Sequence, residues 1–185
     1  MENSVPLLIS DFDGDSKFFC YLDSHISSYV FWFGYYSRDQ FLFLKSILRP
    51  DMVFFDIGAN EGEHSIFVAK YVPNGQIYSF EPFPPIRLRL LENIRVNNFS
   101  NISVLDFGLS DTLKTMPLFG ADSRAQDGAK NDGQSTLFSR SGVSKELGSI
   151  QLKTLDDFVA NQKITKIDLM KIDVEGAELF VLRGG

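Results

Sequence analysis

One cysteine, two histidines and no long apolar run set the first limits on this 185-residue chain. A lone Cys20 excludes an internal disulfide and any thiolate metal cluster. With only His25 and His64, a histidine-rich site is excluded too, and the sequence predicts no bound metal. Basic residues are outnumbered, 18 against 24 acidic ones, which leaves a net charge of −6. A surface that tracks phosphates needs the opposite sign, so nucleic acid is not an expected partner. The most apolar stretch, YVFWFGYY at Tyr29–Tyr36, is far too short to span a bilayer. Met1-Glu2-Asn3-Ser4 has no basic n-region, and no apolar h-region follows before Asp11, so no signal peptide is predicted. Together these absences predict a soluble, cytoplasmic protein with no membrane partner.

What is present is a core-forming composition. Hydrophobic residues make up 44% of the chain, with 18 phenylalanines, enough to build one full domain and too little length for two. The first 37 residues read as short aromatic strands broken by DGDS and DSHISS. Arg38–Leu48 carries Phe41, Leu44 and Leu48 at helical spacing and ends before Pro50. From Met52 strand and helix alternate. MVFFDI is an apolar run of buried-strand length, followed by a glycine-containing turn and a helix through HSIFVAKYV. QIYSFE, ISVLDFGLS, SIQLK and KIDLMKIDVEG read as further strands. PPIRLRLLENIRVNN, TLDDFVANQ and AELFVLRGG read as helices, with Thr154 and Asp157 forming a capping pair. Residues 120–149 are rich in Gly, Ser, Asp and Asn and read as a long mobile loop, with STLF as a short strand inside it. The alternation predicts an α/β fold with a doubly wound, mainly parallel sheet.

The opening apolar run ends in Asp11-Phe12-Asp13, two aspartates separated by one residue. That pair resembles the nucleophile and acid of the haloacid-dehalogenase-like phosphatases. Those enzymes usually place Thr or Val two residues after the second Asp; here the position is Asp15 and the following KFFCYLD is strand-like. Asp-Gly between apolar segments is a hairpin signal, so DGDS is predicted to be a turn. A calcium loop is not expected, because its twelfth position is Leu22 rather than glutamate.

Two later constellations carry chemistry. In FFDIGANEGEHS, Asp56 ends a strand and Gly58 and Gly62 sit in the turn to the next helix, where glycine lets backbone approach a ligand. The spacing is neither the dinucleotide fingerprint nor a phosphate loop. Glu81 ends the next strand, where an acid can accept hydrogen bonds from both hydroxyls of a ribose. A nucleoside-type ligand without a phosphate follows from the pair. In DLMKIDVEGAE, Asp173 and Glu175 fall at the carboxyl end of another strand, where open α/β sheets bind ligands. They can orient a polar substrate or take a proton from a hydroxyl; equally, Asp173 can cap the next helix while Glu175 and Glu178 favour its dipole. Lys171 is expected to face the sheet surface or solvent, and His64 to be packed or capping. His25 has no predicted place.

DIGANEGEHS, FEPFP, FGLSD, TLDDF and KIDVEGAELFVLRGG, in that order across residues 28–185, resemble the FkbM-type S-adenosylmethionine-dependent methyltransferases. The resemblance implies a class I, Rossmann-like fold and O-methylation of a small molecule, natural product or glycan. It implies that Asp56, Gly58, Asn60 and Gly62 border the methionine part of S-adenosylmethionine. Glu81 would bind the ribose, Pro82 and Phe83 would lie beside the adenosine, and Gly108 and Leu109 would pass near the adenine. Asp173 and Glu175 would face the methyl and the acceptor. On this reading residues 1–49 form an amino-terminal extension of short strands and one helix packed on the core. Residues 50–185 form the cofactor-binding domain, carboxy-terminally incomplete after its fourth core strand and helix, whose open edge could pair in a homo-oligomer. YVFWFGYY would cover the cofactor, shape the acceptor pocket or simply pack. The competing function is a non-catalytic domain that retains the cleft only for binding.

Overall fold

The computed structural model describes residues 5–121, 136–137 and 144–185. The chain opens with β1 (Leu7–Phe12) and β2 (Ser16–Cys20), paired antiparallel around Asp13-Gly14. Two of the three turn residues, Asp13 and Gly14, have positive φ, 46° and 92°, and the Gly14 N–H donates to the Asp11 carbonyl at 2.9 Å. Aspartate and glycine are residue types that tolerate this left-handed backbone in a turn. Asp11 and Asp13 therefore lie outside the parallel sheet. The Asp13 carboxylate is occupied by the Tyr71 hydroxyl at 2.6 Å and the Lys70 ammonium at 3.3 Å.

The aromatic stretch expected to be a strand is a helix, α1 (His25–Phe33), and α2 (Arg38–Ile47) follows it, so the extension holds two helices instead of one. The Ser24 hydroxyl caps α1 by accepting from the Ser27 N–H, and Gly34, at φ 82°, ends it. Its inward face is Ser27 and Val30, three residues apart. Trp32 and Phe33 stay exposed, which is why apolar content alone misassigns the segment.

Next come β3 (Val53–Ile57), α3 (Glu63–Tyr71), β4 (Gln76–Phe80), α4 (Pro84–Asn97) and β5 (Ile102–Leu105). They are followed by β6 (Gly108–Leu109), β7 (Lys114–Ala121), β8 (Ser144–Lys153), α5 (Leu155–Gln162), β9 (Leu169–Ile172) and α6 (Glu178–Arg183). The central sheet runs β5-β4-β3-β9 with every pairing parallel. Adjacent residues of β3 feed opposite cores. Phe54 packs with Ile66, Phe67 and Leu90 of α3 and α4, whereas Phe55 packs with Phe158 of α5 and Val181 of α6. Helices on both faces of a parallel sheet make this the doubly wound, Rossmann-like class.

Two expectations change. ISVLDFGLS is two strands, because the chain leaves the central sheet after Leu105 and β6 pairs with β8 in a separate sheet ordered β6-β8-β7. The ends of the segment read as a loop, residues 120–121 and 144–149, belong to the antiparallel β7–β8 ribbon. Of the STLF stretch, Thr136 bridges to Phe119 and the remainder, apart from Leu137, lies outside the described residues. No helix among the described residues is long and apolar enough to cross a membrane.

Candidate active site

The carboxyl ends of β3, β4 and β9 converge on one turn, Gly58–Gly62. Gly58 has φ 77°, and an added Cβ would lie 2.0 Å from the Asp173 carbonyl oxygen, so only glycine fits between β3 and β9 here. Its N–H donates to the Phe80 carbonyl at 3.1 Å and its own carbonyl accepts from Lys171 Nζ at 2.6 Å. On the far side the Asp173 N–H donates to the Ile57 carbonyl at 3.0 Å, extending β9 by one bond. The loop after it is closed by Glu178, whose Oε1 accepts from the Val174 and Gly176 N–H groups at 3.1 and 3.2 Å. Glu178 thus holds the loop rather than only favouring a dipole.

One cleft, partly open to solvent, runs from this turn toward β6. Its apolar walls include Phe80, Ile86, Leu109 and, from the ribbon, Leu118, Ile150 and Leu152. Glu81 lies along it with only 8% of its surface exposed. Each Glu81 oxygen takes one backbone donor: Oε2 from Asn60 at 3.0 Å and Oε1 from Phe83 at 2.9 Å. Burial pushes its carboxyl up to about 7, and the two backbone donors offset part of that rise. A carboxylate oxygen accepts two hydrogen bonds, so acceptor capacity remains on both. An apolar slot beside such a carboxylate fits a nucleoside, whose base wants burial and whose ribose hydroxyls want acceptors. The residues present therefore fit the nucleoside part of S-adenosylmethionine.

A second, polar compartment lies on the other side of the turn, walled by α1, the α1–α2 junction and the start of α3. It shares Gly58, Asn60, Asp173 and Glu175 with the first. Glu63 sits in its wall, buried, and its Oε1 accepts from the Tyr36 and Ser37 N–H groups at 2.7 and 3.3 Å. Burial pushes the Glu63 carboxyl up to about 7 as well. His64 is packed, as expected: Nε2 is 2.8 Å from Gln40 Oε1, and Phe41 stands edge-on at 5.1 Å. Burial lowers its pKa to about 4, which leaves the ring neutral at physiological pH. Among the described residues no group of three or more His, Cys, Asp or Glu is arranged to hold a metal ion.

Eight of the residues singled out in the sequence line the first cleft: Gly58, Asn60, Glu81, Pro82, Gly108, Leu109, Asp173 and Glu175. Three do not. Asp56 is fully buried beneath the turn, where Ser65 Oγ donates to it at 2.6 Å. Gly62, at φ 95°, caps α3, and an added Cβ would meet Leu90 at 2.4 Å. Phe83 starts α4 and packs against the Leu118–Ile150–Leu152 cluster. Lys171 departs from its expected place on the sheet surface or in solvent. Its ammonium lies 3.2 Å from Asp56 Oδ1 and lines the polar compartment. Sequence reading missed Lys171, Glu63 and the ribbon wall. Only the ribbon left a signal, the two-residue alternation of Met116 with Leu118 and Ile150 with Leu152.

A family model for the methyltransferase FkbM domain matches residues 56–185. The 2-O-methyltransferase NoeI of Sinorhizobium fredii is 30% identical over 152 residues, covering 74% of this chain and 58% of that protein. The hexuronic acid methyltransferase AglP of Haloferax volcanii is 31% identical over 149 residues, covering 80% of this chain and 55% of that protein. The chain thus spans little more than half the length of these relatives. Among solved structures, M. jannaschii TYW2 in complex with AdoMet aligns over 57% of this chain and 44% of its own, at 19% identity and TM-score 0.42.

Proposed function

Because the chain belongs to the FkbM methyltransferase family, for which S-adenosylmethionine is the expected cofactor, we propose that it methylates a hydroxyl oxygen on a small molecule, natural product or glycan. The observation that carries this reading is the junction at Gly58. There an apolar cleft with a buried carboxylate meets a polar compartment, and Asp173 and Glu175 reach both. When bound, the cofactor supplies an electrophilic methyl on a positively charged sulfonium, which an acidic crevice suits better than a phosphate cradle would. Glu81 accepts from the ribose hydroxyls through the oxygens that Asn60 and Phe83 hold in place. Pro82, Gly108 and Leu109, with the ribbon residues, wall the base. Gly58 and Asn60 border the methionine part. Asp173 and Glu175 orient the acceptor hydroxyl and take its proton, a role worth about 10²–10⁴-fold in rate. Alignment of the two reactants contributes more, on the order of 7–11 kcal/mol. Oxygen as the acceptor atom is supported by relatives named for 2-O- and hexuronic acid methylation.

Asp56, Gly62 and Phe83 support this site from outside the cleft instead of touching the ligand. The test is a calorimetric titration with S-adenosylhomocysteine of the wild type and of Glu81→Ala and Asp173→Asn. Micromolar binding that Glu81→Ala abolishes and Asp173→Asn retains is the expected result. A folded wild-type chain with no affinity would sink the reading.

A further inference from the structure

The polar compartment has no role in holding a nucleoside, yet it shares four wall residues with the cleft that does. We propose that this compartment, between the α1–α2 junction and the start of α3, receives the acceptor, and that the acceptor presents a neutral, multiply hydroxylated group such as an uncharged sugar ring. The proposal rests on the methyltransferase reading and adds to it a site and a substrate class.

Adjacency is the first argument. Transfer between two bound molecules requires their reacting atoms to approach within about 3–3.5 Å. Two compartments that meet at Gly58, Asn60, Asp173 and Glu175 provide one such meeting point.

Charge is the second. Glu61, Glu63, Asp173 and Glu175 all line the compartment, and Lys171 is the single ammonium or guanidinium among its described lining residues. That ammonium is engaged by Asp56 at 3.2 Å and by the Gly58 carbonyl at 2.6 Å. A carboxylate or phosphate on the acceptor would meet carboxylates without a disengaged cation to receive it. Hydroxyls, by contrast, can donate to Glu63, Asp173 and Glu175 and exchange bonds with Ser37, while Glu61 is buried in the wall and held by Arg89 and Ser27. Tyr36 and His25 add rings with an apolar face and a polar edge, a lining suited to a sugar.

Preorganisation is the third. Glu63 clamps two successive amides of the α1–α2 junction, so the wall carrying Tyr36 and Ser37 is fixed to the helix that follows the glycine turn. Ser27 Oγ also donates to Glu61 Oε2 at 2.5 Å, which ties α1 to that turn. A wall fixed at two points needs little ordering when a ligand enters.

The experiment uses the whole chain with two probes, methyl β-D-glucopyranoside and D-glucuronate, followed by saturation-transfer NMR in the presence of S-adenosylhomocysteine. Ser37→Trp fills the compartment; Tyr36→Ala removes one wall and serves if thermal melts show the first variant unfolded. The neutral glycoside is expected to bind at least about tenfold more tightly than glucuronate, and to lose its signal in the variant. Calorimetric affinity for S-adenosylhomocysteine is expected to stay within about threefold of wild type. Absence of glycoside binding, equal binding of both probes, or glycoside binding indifferent to the variant would overturn the proposal. A variant that weakens S-adenosylhomocysteine would overturn it too, by assigning the compartment to the cofactor's amino-acid end. Failure of the wild type to bind S-adenosylhomocysteine at all would instead sink the underlying methyltransferase reading.

Discussion

Lys171 and Asp56 stand directly opposite each other on β9 and β3, their charged atoms 3.2 Å apart. Ser79 occupies the same row on β4, and Ser65 of α3 donates to the other Asp56 oxygen at 2.6 Å. Burial would raise the Asp56 carboxyl, but Lys171, His64 and the Ser65 hydroxyl overcome it and hold the group below the usual carboxylate range. The Lys171 ammonium also donates to the Gly58 carbonyl, so one side chain neutralises a buried charge and fixes the turn above it.

Lys171→Met is therefore expected to cost about 3–5 kcal/mol, because it leaves Asp56 buried without a counter-charge. Urea unfolding measures it. The double variant Asp56→Asn, Lys171→Met should recover much of the loss, since no charge is then stranded. A single-variant cost below about 1 kcal/mol would mean that the pair behaves like a surface ion pair.

Cofactor affinity should depend on pH through Glu81. With its pKa raised to about 7 by burial, the carboxyl is largely protonated below that pH. A protonated carboxyl has lost acceptor capacity for ribose hydroxyls, so S-adenosylhomocysteine should bind more weakly as pH falls. The limit is about tenfold per pH unit for one linked proton. Calorimetry between about pH 6 and pH 8, repeated on Glu81→Gln, checks it. The variant should bind weakly with a flat profile.

Stability should move the other way with pH on account of Glu63. Its folded pKa, about 7, lies above the ordinary 4.5. Between those values the folded state keeps a proton that the unfolded state releases. The contribution of this group therefore falls as pH rises from 4.5 to about 7, by at most ~1.4 kcal/mol per unit. Glu81 adds a second fall of the same sign. Buried His64, lowered from 6.5 to about 4, acts in the opposite sense over the same window, so the check is the difference: denaturant midpoints should fall more with rising pH, or rise less, in the wild type than in Glu63→Gln.

Gly58 and Gly14 offer a controlled comparison. Both have positive φ, 77° and 92°, but an added Cβ at Gly14 meets nothing within 4 Å while at Gly58 it meets the Asp173 carbonyl. Gly14→Ala should cost roughly 1 kcal/mol, from the left-handed backbone alone. Gly58→Ala should cost well beyond the ~1–3 kcal/mol of backbone strain and abolish S-adenosylhomocysteine binding. Equal costs would show that β9 gives way at no penalty.

Much of the site was legible because its signals are local. A strand, a glycine turn and a helix follow one another within the dozen residues around Gly58, and Glu81 and Asp173 each close an apolar run of strand length. Side chains at strand ends point where the next residues turn, so sequence order suffices to bring Glu81, Asp173 and Glu175 to one edge of a parallel sheet. α1 was not legible as a helix, since a short apolar run has no periodicity that separates a strand from a buried turn of helix. Its identity is set by the Ser24 and Gly34 caps and by the contacts of Ser27 and Val30.

The sequence by itself determined the strand–helix alternation from β3 through α4, the glycine that permits close approach of β3 and β9, and the acidic character of the crevice. Only the tertiary structure decided which charges meet. Lys171 faces Asp56 because β9 crosses to pair with β3 in one register, and a shift of one residue would send that ammonium to the opposite face. Glu63 receives the amides of Tyr36 and Ser37 because the amino-terminal helices pack against α3. The β7–β8 ribbon, too, walls the cleft only through long-range pairing. Propensity and spacing act between neighbours along the chain. Burial, ion pairing and compartment walls arise between segments far apart in it, and their partners exist only once the chain has closed.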